Sequence, residues 1–102
     1  MDFSKLMSAA GDLRGRLEEA QRQARESRYV GEAGGGLVRI TMNGNFEVLD
    51  VSIDLKAVTP DSTALLEDLV RAACNQCIGH IQESLKGQLG SMAVGMGLGL
   101  PT

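Results

Sequence analysis

The chain has 102 residues, enough for one domain with a modest core. Its formal net charge of −3 counts against a strongly basic nucleic-acid-binding domain, and its aromatic content of 3% counts against a core built on aromatic packing. No apolar stretch approaches the roughly 18 residues of a membrane-spanning helix, and no cationic start precedes an apolar run as in a secretory signal, so a cytoplasmic protein is expected.

The first predicted element is a long helix over residues 2–28, which makes the segment 1–28 an arm. Asp2 is a suitable N-cap, and the interior contains no proline or β-branched residue. Apolar side chains recur at gaps of 4, 3, 4, 3 and 4 residues, the spacing of a coiled-coil seam. This apolar seam consists of Leu6, Ala10, Leu13, Leu17, Ala20 and Ala24. Because so short a chain cannot cover both a one-faced helix and a sheet, the pattern predicts self-association.

The segment 29–54 predicts a small antiparallel sheet. Its strands are expected over 29–33, 37–42 and 46–54, with a turn or bulge at Gly34-Gly35-Gly36 and a tight Asn43-Gly44-Asn45 hairpin turn. In the second strand, Val38, Ile40 and Met42 share one face. In the third strand, the alternation places Leu49, Val51 and Ile53 toward the core, with a bulge near Val48 and Leu49.

A second helix is predicted over residues 61–90, after a loop that ends in Pro60. Gly87 and Gly90 are expected to weaken its end, and the glycine-rich segment 91–102 is expected to form a flexible tail. The helix has a broad apolar face that comprises Leu65, Leu66, Leu69, Val70, Ala73, Cys74, Cys77, Ile78, Ile81, Leu85 and Leu89. The chain therefore predicts a single α+β domain over 1–102, with α-β-β-β-α order, or α-β-β-α if 29–33 is only a linker.

Four segments together resemble the YbaB/EbfC family of bacterial nucleoid-associated proteins. They are Gly-Glu-Ala-Gly-Gly-Gly-Leu-Val at 31–38, the Asn43-Gly44 hairpin, Val-Ser-Ile-Asp at 51–54, and Leu-Glu-Asp-Leu-Val-Arg-Ala-Ala-Cys-Asn at 66–75. In the last segment, Asn75 occupies the family's Asn position. Met92, Gly95, Met96 and Pro101 are similar to the family's tail, so the resemblance covers nearly the whole chain.

The resemblance implies a fold and a function. It implies an intertwined, tweezer-like homodimer in which the sheets and second helices associate and the long first helices project as arms. It further implies binding to double-stranded DNA with broad specificity at the nucleoid, and an influence on nucleoid organisation and gene expression. The family carries no catalytic activity, so no enzyme activity, cofactor, metal or small-molecule substrate is expected.

The cations of the arm are the candidate DNA contacts, since arginine makes paired hydrogen bonds to phosphate. They are Lys5, Arg14, Arg16, Arg22, Arg25 and Arg28. Arg14, Arg25 and Arg28 lie within about 60° of one another on a helical wheel and avoid the apolar seam. A second interpretation is that these cations only solvate the arm and pair with Glu18, Glu19 and Glu26.

The Cys74-Asn-Gln-Cys77 motif has two readings. A redox pair normally lies at a helix N-terminus, where the dipole lowers the thiol pKa, whereas this pair lies well inside the second helix on its apolar face. Buried small hydrophobic residues are the favoured interpretation, and a small oxidoreductase is the rival. His80 is expected at the helix surface, and the triple glycine lacks the Lys-Ser/Thr of a phosphate-binding loop.

A different functional class fits the acidic net charge. In this alternative the chain is a dimeric adaptor that binds a protein partner through the arm helix and the Met-rich tail, without direct contact to DNA. Pull-down from a nuclease-treated lysate distinguishes the two classes, because an adaptor keeps its partners when nucleic acid is removed.

Overall fold

The fold was analysed in a computed structural model, which describes residues 2–95. Its helices and strands follow the predicted α-β-β-β-α order. They are α1 (Phe3–Glu26), β1 (Tyr29–Ala33), β2 (Val38–Met42), β3 (Val48–Ile53) and α2 (Thr63–Gly95). Two short 3-10 turns, Leu55–Ala57 and Pro60–Ser62, connect β3 to α2. The predicted first strand is therefore a strand and not a linker.

Helix α1 projects from the rest of the molecule. Asp2 caps its start, with the carboxylate accepting a hydrogen bond from the Ser4 backbone N–H at 3.4 Å. None of the residues of α1, all of which lie in the described span, is buried. The molecule measures 70 × 31 × 15 Å, which is far more elongated than a globular chain of this length. The helix predicted over 2–28 thus spans 3–26, because Ser27 is its C-cap, and it forms a rod that contacts the β2–β3 turn at its base.

The three strands form an antiparallel sheet in the order β1-β2-β3. Gly34, Gly35 and Gly36 all have positive φ angles in the turn between β1 and β2, which residues with a Cβ rarely adopt. Between β2 and β3 the register shifts at Met42, which pairs with Val48 while Thr41 pairs with Asp50. Leu49 is the extra residue, so the predicted bulge is confirmed.

The turn between β2 and β3 differs from the tight Asn-Gly turn that was expected. Residues 43–47 make a longer connection in which the buried Asn43 Oδ1 accepts hydrogen bonds from the backbone N–H groups of Asn45 (2.9 Å) and Glu47 (3.2 Å). The positive φ angle falls on Phe46. Gly44 instead donates its N–H to the Ala24 carbonyl at 2.8 Å, and a Cβ at Gly44 would lie 3.1 Å from Ala24 backbone atoms. The glycine allows the base of the arm to dock on the turn.

The core lies between one face of the sheet and α2. Val38, Ile40 and Met42 of β2 are buried as predicted. From α2 they meet Ala73, Cys77 and Ile81. Buried Gly31 of β1 brings the sheet against the helix, because a Cβ there would overlap the Ala73 carbonyl oxygen. The core is small because α2 crosses β1 and β2 only.

The apolar side chains of β3 are more exposed than the sequence predicts. Its apolar side chains lie on the same side of the sheet as the core, since Val51 pairs with Ile40 and Ile53 pairs with Val38. They nevertheless remain between 39% and 52% exposed, because α2 does not reach β3. We call this surface the β3 patch; it consists of Val48, Leu49, Val51 and Ile53.

The observed ends of α2 differ from the predicted range of 61–90. It begins at Thr63 and continues to Gly95, so residues 91–95 belong to the helix and not to the tail. Gly87 and Gly90 lie inside it, because a helical glycine costs only about 1 kcal/mol relative to alanine and does not by itself end a helix. Its predicted apolar face is buried at its centre, while Leu65, Leu85 and Leu89 are exposed. Residues 96–102 lie outside the described residues.

Candidate nucleic-acid interface

The six predicted cations follow the arm and its base. Five of them lie on the exposed helix α1, and Arg28 follows its end. Helical geometry places Arg14 and Arg25 along one flank of the apolar seam, and Lys5 and Arg16 along the other flank. The cations therefore form two short rows that border the seam, and not a single patch.

Arg22 is held by two carboxylates of the same helix. Its guanidinium donates hydrogen bonds to Glu19, including one from Nε at 3.0 Å, and to both Glu26 carboxylate oxygens at 3.1 and 3.2 Å. The hydrogen bond with Arg22 lowers the pKa of Glu19 below its usual value, and the same bond raises the pKa of Arg22. The predicted alternative, pairing with arm carboxylates, holds for this arginine.

Arg28 is engaged at the base of the arm. One of its guanidinium nitrogens donates to the backbone carbonyl oxygens of Arg25 at 2.9 Å and Ser27 at 3.0 Å. Cations suit a helix C-terminus because the last carbonyl groups there lack partners within the helix. Arg28 therefore helps to end α1.

Four cations remain available for an external anion. Lys5, Arg14, Arg16 and Arg25 form no ion pair with any residue between positions 2 and 95. All four are exposed on a rod that protrudes from the domain. An arrangement of this kind can approach a phosphate backbone without moving the core.

The apolar seam between these cations is uncovered. Leu6, Leu13 and Leu17 are between 53% and 59% exposed. Together with the β3 patch, they give the single chain two separate apolar surfaces in contact with water. Contiguous apolar surfaces of this kind usually mark sites of association.

The two cysteines do not make a redox site. Cys77 is fully buried, and its thiol donates to the Tyr29 carbonyl oxygen at 3.1 Å. Burial raises the pKa of the Cys77 thiol, which disfavours the reactive thiolate. Cys74 is half-buried against the core and is not bonded to Cys77. The favoured interpretation, small buried side chains, agrees with this geometry.

One role of α2 went unrecognised in the sequence. Two of its side chains bond to the outer backbone of β1: His80 Nδ1 contacts the Val30 carbonyl oxygen at 3.0 Å, and Gln76 Oε1 accepts a hydrogen bond from the Glu32 N–H at 2.6 Å. These contacts cover the free edge of β1, which would otherwise be open to another strand. The i, i+4 spacing of Gln76 and His80 on one helix face was the available signal.

We expect the Cys77 thiol to react slowly in the native protein. In a Cys74→Ala variant at neutral pH, a thiol reagent should modify Cys77 only as the core opens, because burial keeps the thiol protonated and sterically covered. The rate should rise to that of a free thiol in denaturant. Rapid modification of the folded variant would instead support the oxidoreductase reading.

The described part of the chain lacks both a cluster of metal ligands and a membrane-spanning helix. No cluster of three or more His, Cys, Asp or Glu side chains suited to a metal ion occurs among these residues. In the same residues, no helix is both long and apolar enough to span a membrane.

Comparison with known proteins identifies the family of this chain. A family model described as the YbaB/EbfC DNA-binding family matches residues 1–96. A nucleoid-associated protein from Mycobacterium sp. (strain KMS) is 42% identical over 101 residues, which covers 98% of this chain and 92% of the relative. Nucleoid-associated proteins from Thermobifida fusca (38% identical; 99% and 90% covered) and Rickettsia akari (35% identical; 99% and 98% covered) are also similar.

A solved structure has the same fold. The crystal structure of an uncharacterized protein from Helicobacter pylori superposes with a TM-score of 0.75 and covers 90% of this chain and 97% of its own. Because the two sequences are only 22% identical, this likeness supports the α-β-β-β-α architecture and nothing about activity.

Proposed function

This chain belongs to the YbaB/EbfC DNA-binding family of nucleoid-associated proteins, and we propose that two copies bind double-stranded DNA through the free cations of their α1 arms. Contacts to phosphate supply most of the affinity, and base edges contribute little, so binding extends over unrelated sequences. The protein acts at the bacterial nucleoid, as the names of its relatives suggest. It carries out no reaction on the DNA.

One observation carries the proposal: four exposed cations without an ion pair in the described chain line a projecting helix. Arginine recognises phosphate through two parallel N–H groups, and three of these four residues are arginines. Lys5, Arg14, Arg16 and Arg25 are the proposed contacts, whereas Arg22 and Arg28 contribute less because they already bond to groups on or next to the arm.

The acidic net charge limits the expected affinity for DNA. Residues 1–28 contain six cations and five acids, and the rest of the chain contains four cations and eight acids. The arm is therefore the more favourable part of the chain for DNA, but its own carboxylates weaken its positive potential. Binding depends on doubling the cations through association of two copies, and it weakens as salt is added.

The two copies associate through the β3 patch. The patch is a continuous apolar strand face beside a covered core, and nothing in residues 2–95 packs over it. The opposite edge of the sheet is closed by α2 side chains, which leaves β3 as the open side. A patch of this type in a monomer exposes more apolar surface than a stable small domain usually does.

We expect Val51→Glu to yield monomers. The substitution places a charge in the middle of the β3 patch, where burial against a second copy would leave it unpaired. Light scattering should give the mass of two chains for the unmodified protein and of one chain for the variant. Ser52→Glu, one residue away on the opposite sheet face, should remain dimeric. A mass of two chains for Val51→Glu as well would remove the β3 patch from the interface.

A gel-shift titration tests the function itself. Two duplexes of unrelated sequence should be retarded at similar protein concentrations in low salt, because the contacts are to phosphate. Absence of any shift at low salt would contradict DNA binding. The exposed apolar seam favours the adaptor alternative, and protein partners that persist after nuclease treatment, combined with no gel shift, would establish it.

A further inference from the structure

Helix α1 is attached to the sheet at two points. The first is the chain itself, because Ser27 and Arg28 form a non-helical two-residue link to β1. The second is a hydrogen bond between segments distant in sequence, from the Gly44 N–H to the Ala24 carbonyl oxygen at 2.8 Å. That carbonyl lies in the last turn of α1, where the helix itself supplies no donor. Since a rod held by one short link can swing, the second attachment fixes the direction of the arm.

The contact with Ala24 explains why residue 44 is a glycine. The φ angle of Gly44 lies outside the left-handed region, unlike the φ angles at 34–36, so its backbone conformation does not require a glycine. A Cβ at this position would lie 3.1 Å from the Cα and the carbonyl oxygen of Ala24 and 3.2 Å from its Cβ. These distances are shorter than a normal contact of about 3.5–4.0 Å. A side chain at residue 44 would therefore push α1 away from the turn.

The turn that presents the Gly44 N–H is held by a buried side chain. Asn43 is 3% exposed; its Oδ1 accepts the hydrogen bonds from Asn45 and Glu47 described above, and its Nδ2 donates to the Glu47 carboxylate at 3.0 Å. Phe46 has a φ angle of 61°, which a bulky residue keeps only where its surroundings fix it. These bonds hold the Gly44 N–H in one direction, toward the end of α1.

The same turn leads directly into the surface assigned to the dimer. Val48, the first residue of the β3 patch, follows the turn without an intervening residue. The direction of each arm is thereby fixed relative to the β3 patch, so association through that patch sets the separation of the two arms. Ala24 and Lys5 are about 28 Å apart along the helix, so a rotation of about 5° at the base moves the tip by roughly 2.5 Å.

We propose that the turn 43–47 is the joint that sets the direction of the arm, with Gly44 as its positioning residue, and that this direction decides whether the cations of two arms reach one DNA duplex together. The second part rests on the proposed function, whereas the first concerns the chain alone. Two arms that engage one duplex together bind far more tightly than either arm alone, and wrong geometry removes this gain. Gly44 itself contacts no DNA and acts through the position of the arm.

Spin-label distances test the joint without DNA. Labels at Ser8→Cys on α1 and Ser52→Cys on the outer sheet face report the direction of the arm within one chain when labelled protein is diluted with excess unlabelled protein. The Cys74→Ala background leaves only the buried Cys77 as a native thiol. The distance distribution should be narrow, and Gly44→Ala should shift it by at least about 2 Å. An unchanged distribution in folded Gly44→Ala would overturn the joint.

Asn45→Ala is the matched control from the same turn. The Asn45 side chain is exposed and forms no hydrogen bond with the residues between 2 and 95, while its backbone N–H keeps the bond to Asn43 in the variant. This variant should leave the distance distribution unchanged. Hydrogen exchange of the Gly44 amide gives a readout that needs no substitution, because its bond to Ala24 should slow exchange at least about tenfold relative to an unprotected amide. Exchange at the unprotected rate would contradict the attachment.

DNA binding tests the consequence of a displaced arm. Gly44→Ala should keep the mass of two chains but lose at least about fivefold in affinity at low salt, with a shallower salt dependence, because fewer phosphates are contacted at once. Asn45→Ala should bind like the unmodified protein. A shifted arm with unchanged affinity would overturn the link between the joint and DNA. If the unmodified protein binds no DNA, the proposed function and this second part fail together, while the spin-label distances still decide whether the turn directs the arm.

Discussion

Gly31→Ala is expected to destabilise the protein more than any other conservative substitution in the described chain. Gly31 lies in β1, and a Cβ there would overlap the Ala73 carbonyl oxygen and lie 2.7 Å from the Cys77 backbone nitrogen. These are backbone atoms of α2 and cannot rotate away. Overpacking usually costs about 1–3 kcal/mol, and we expect a loss at or above that range because helix and strand must separate.

Urea unfolding at fixed protein concentration measures this effect. Gly79→Ala is the matched control, because a Cβ there meets no atom within 4 Å and the residue lies inside α2. The control should be as stable as the unmodified protein or more stable by up to about 1 kcal/mol. Equal stability of the two variants would show that β1 and α2 are not in the close contact described above.

Reversing two arm charges should have the largest effect on DNA binding. Arg14→Glu/Arg25→Glu replaces two free cations on one flank of the seam, and a dimer carries four such changes. Because phosphate contacts dominate non-specific affinity, we expect a loss of at least about a hundredfold in low salt. The circular dichroism spectrum and the dimer mass should not change, since neither residue is buried or paired in the described chain.

Arg39→Glu/Arg71→Glu provides the control for net charge. Both arginines are exposed and lie outside the arm, Arg39 on the sheet and Arg71 on α2, and each is paired with a carboxylate. This variant changes the charge of the chain by the same amount and should lose far less affinity. If both double variants bind DNA equally weakly, the overall charge and not the arm governs binding.

Local patterns in the sequence were sufficient for most of the fold. The 4-3 spacing of the seam and the Asp2 cap identified α1, and glycine chemistry identified the turn at 34–36. The alternation of β2 identified Val38, Ile40 and Met42 as core. These features depend on neighbours close in the chain, which is why they could be predicted.

Features that depend on distant contacts were missed. The extent of α2 over the sheet decides that Val51 and Ile53 are exposed, and no local pattern records where a helix stops crossing a sheet. The sequence indicated a tight turn at Asn43-Gly44-Asn45, but the contact of Gly44 with Ala24 depends on the packing of the arm. The C-terminal end of α2 was misplaced because glycine only weakens a helix, and its start was misplaced because Pro60–Ser62 form a separate 3-10 turn.

The sequence predicted which residues could contact DNA, but not which of them are already paired with other groups of the chain. The sequence identified all six cations, yet only side-chain geometry separates Arg22, which binds Glu19 and Glu26, from Arg14 and Arg16. The capping of the helix end by Arg28 also depends on rotamers. Membership of the family supports DNA as the partner. The assignment of individual contacts to arm cations is a prediction.

The salt dependence of DNA affinity tests the central claim most directly. The observed association constant of the purified protein for one short duplex should be measured from about 50 to about 200 mM salt. If the paired arms neutralise between four and eight phosphates, the logarithm of the constant should fall linearly against the logarithm of salt with a slope between about −4 and −7. No binding at the lowest salt, or an affinity that does not change with salt, would contradict phosphate recognition by the arms.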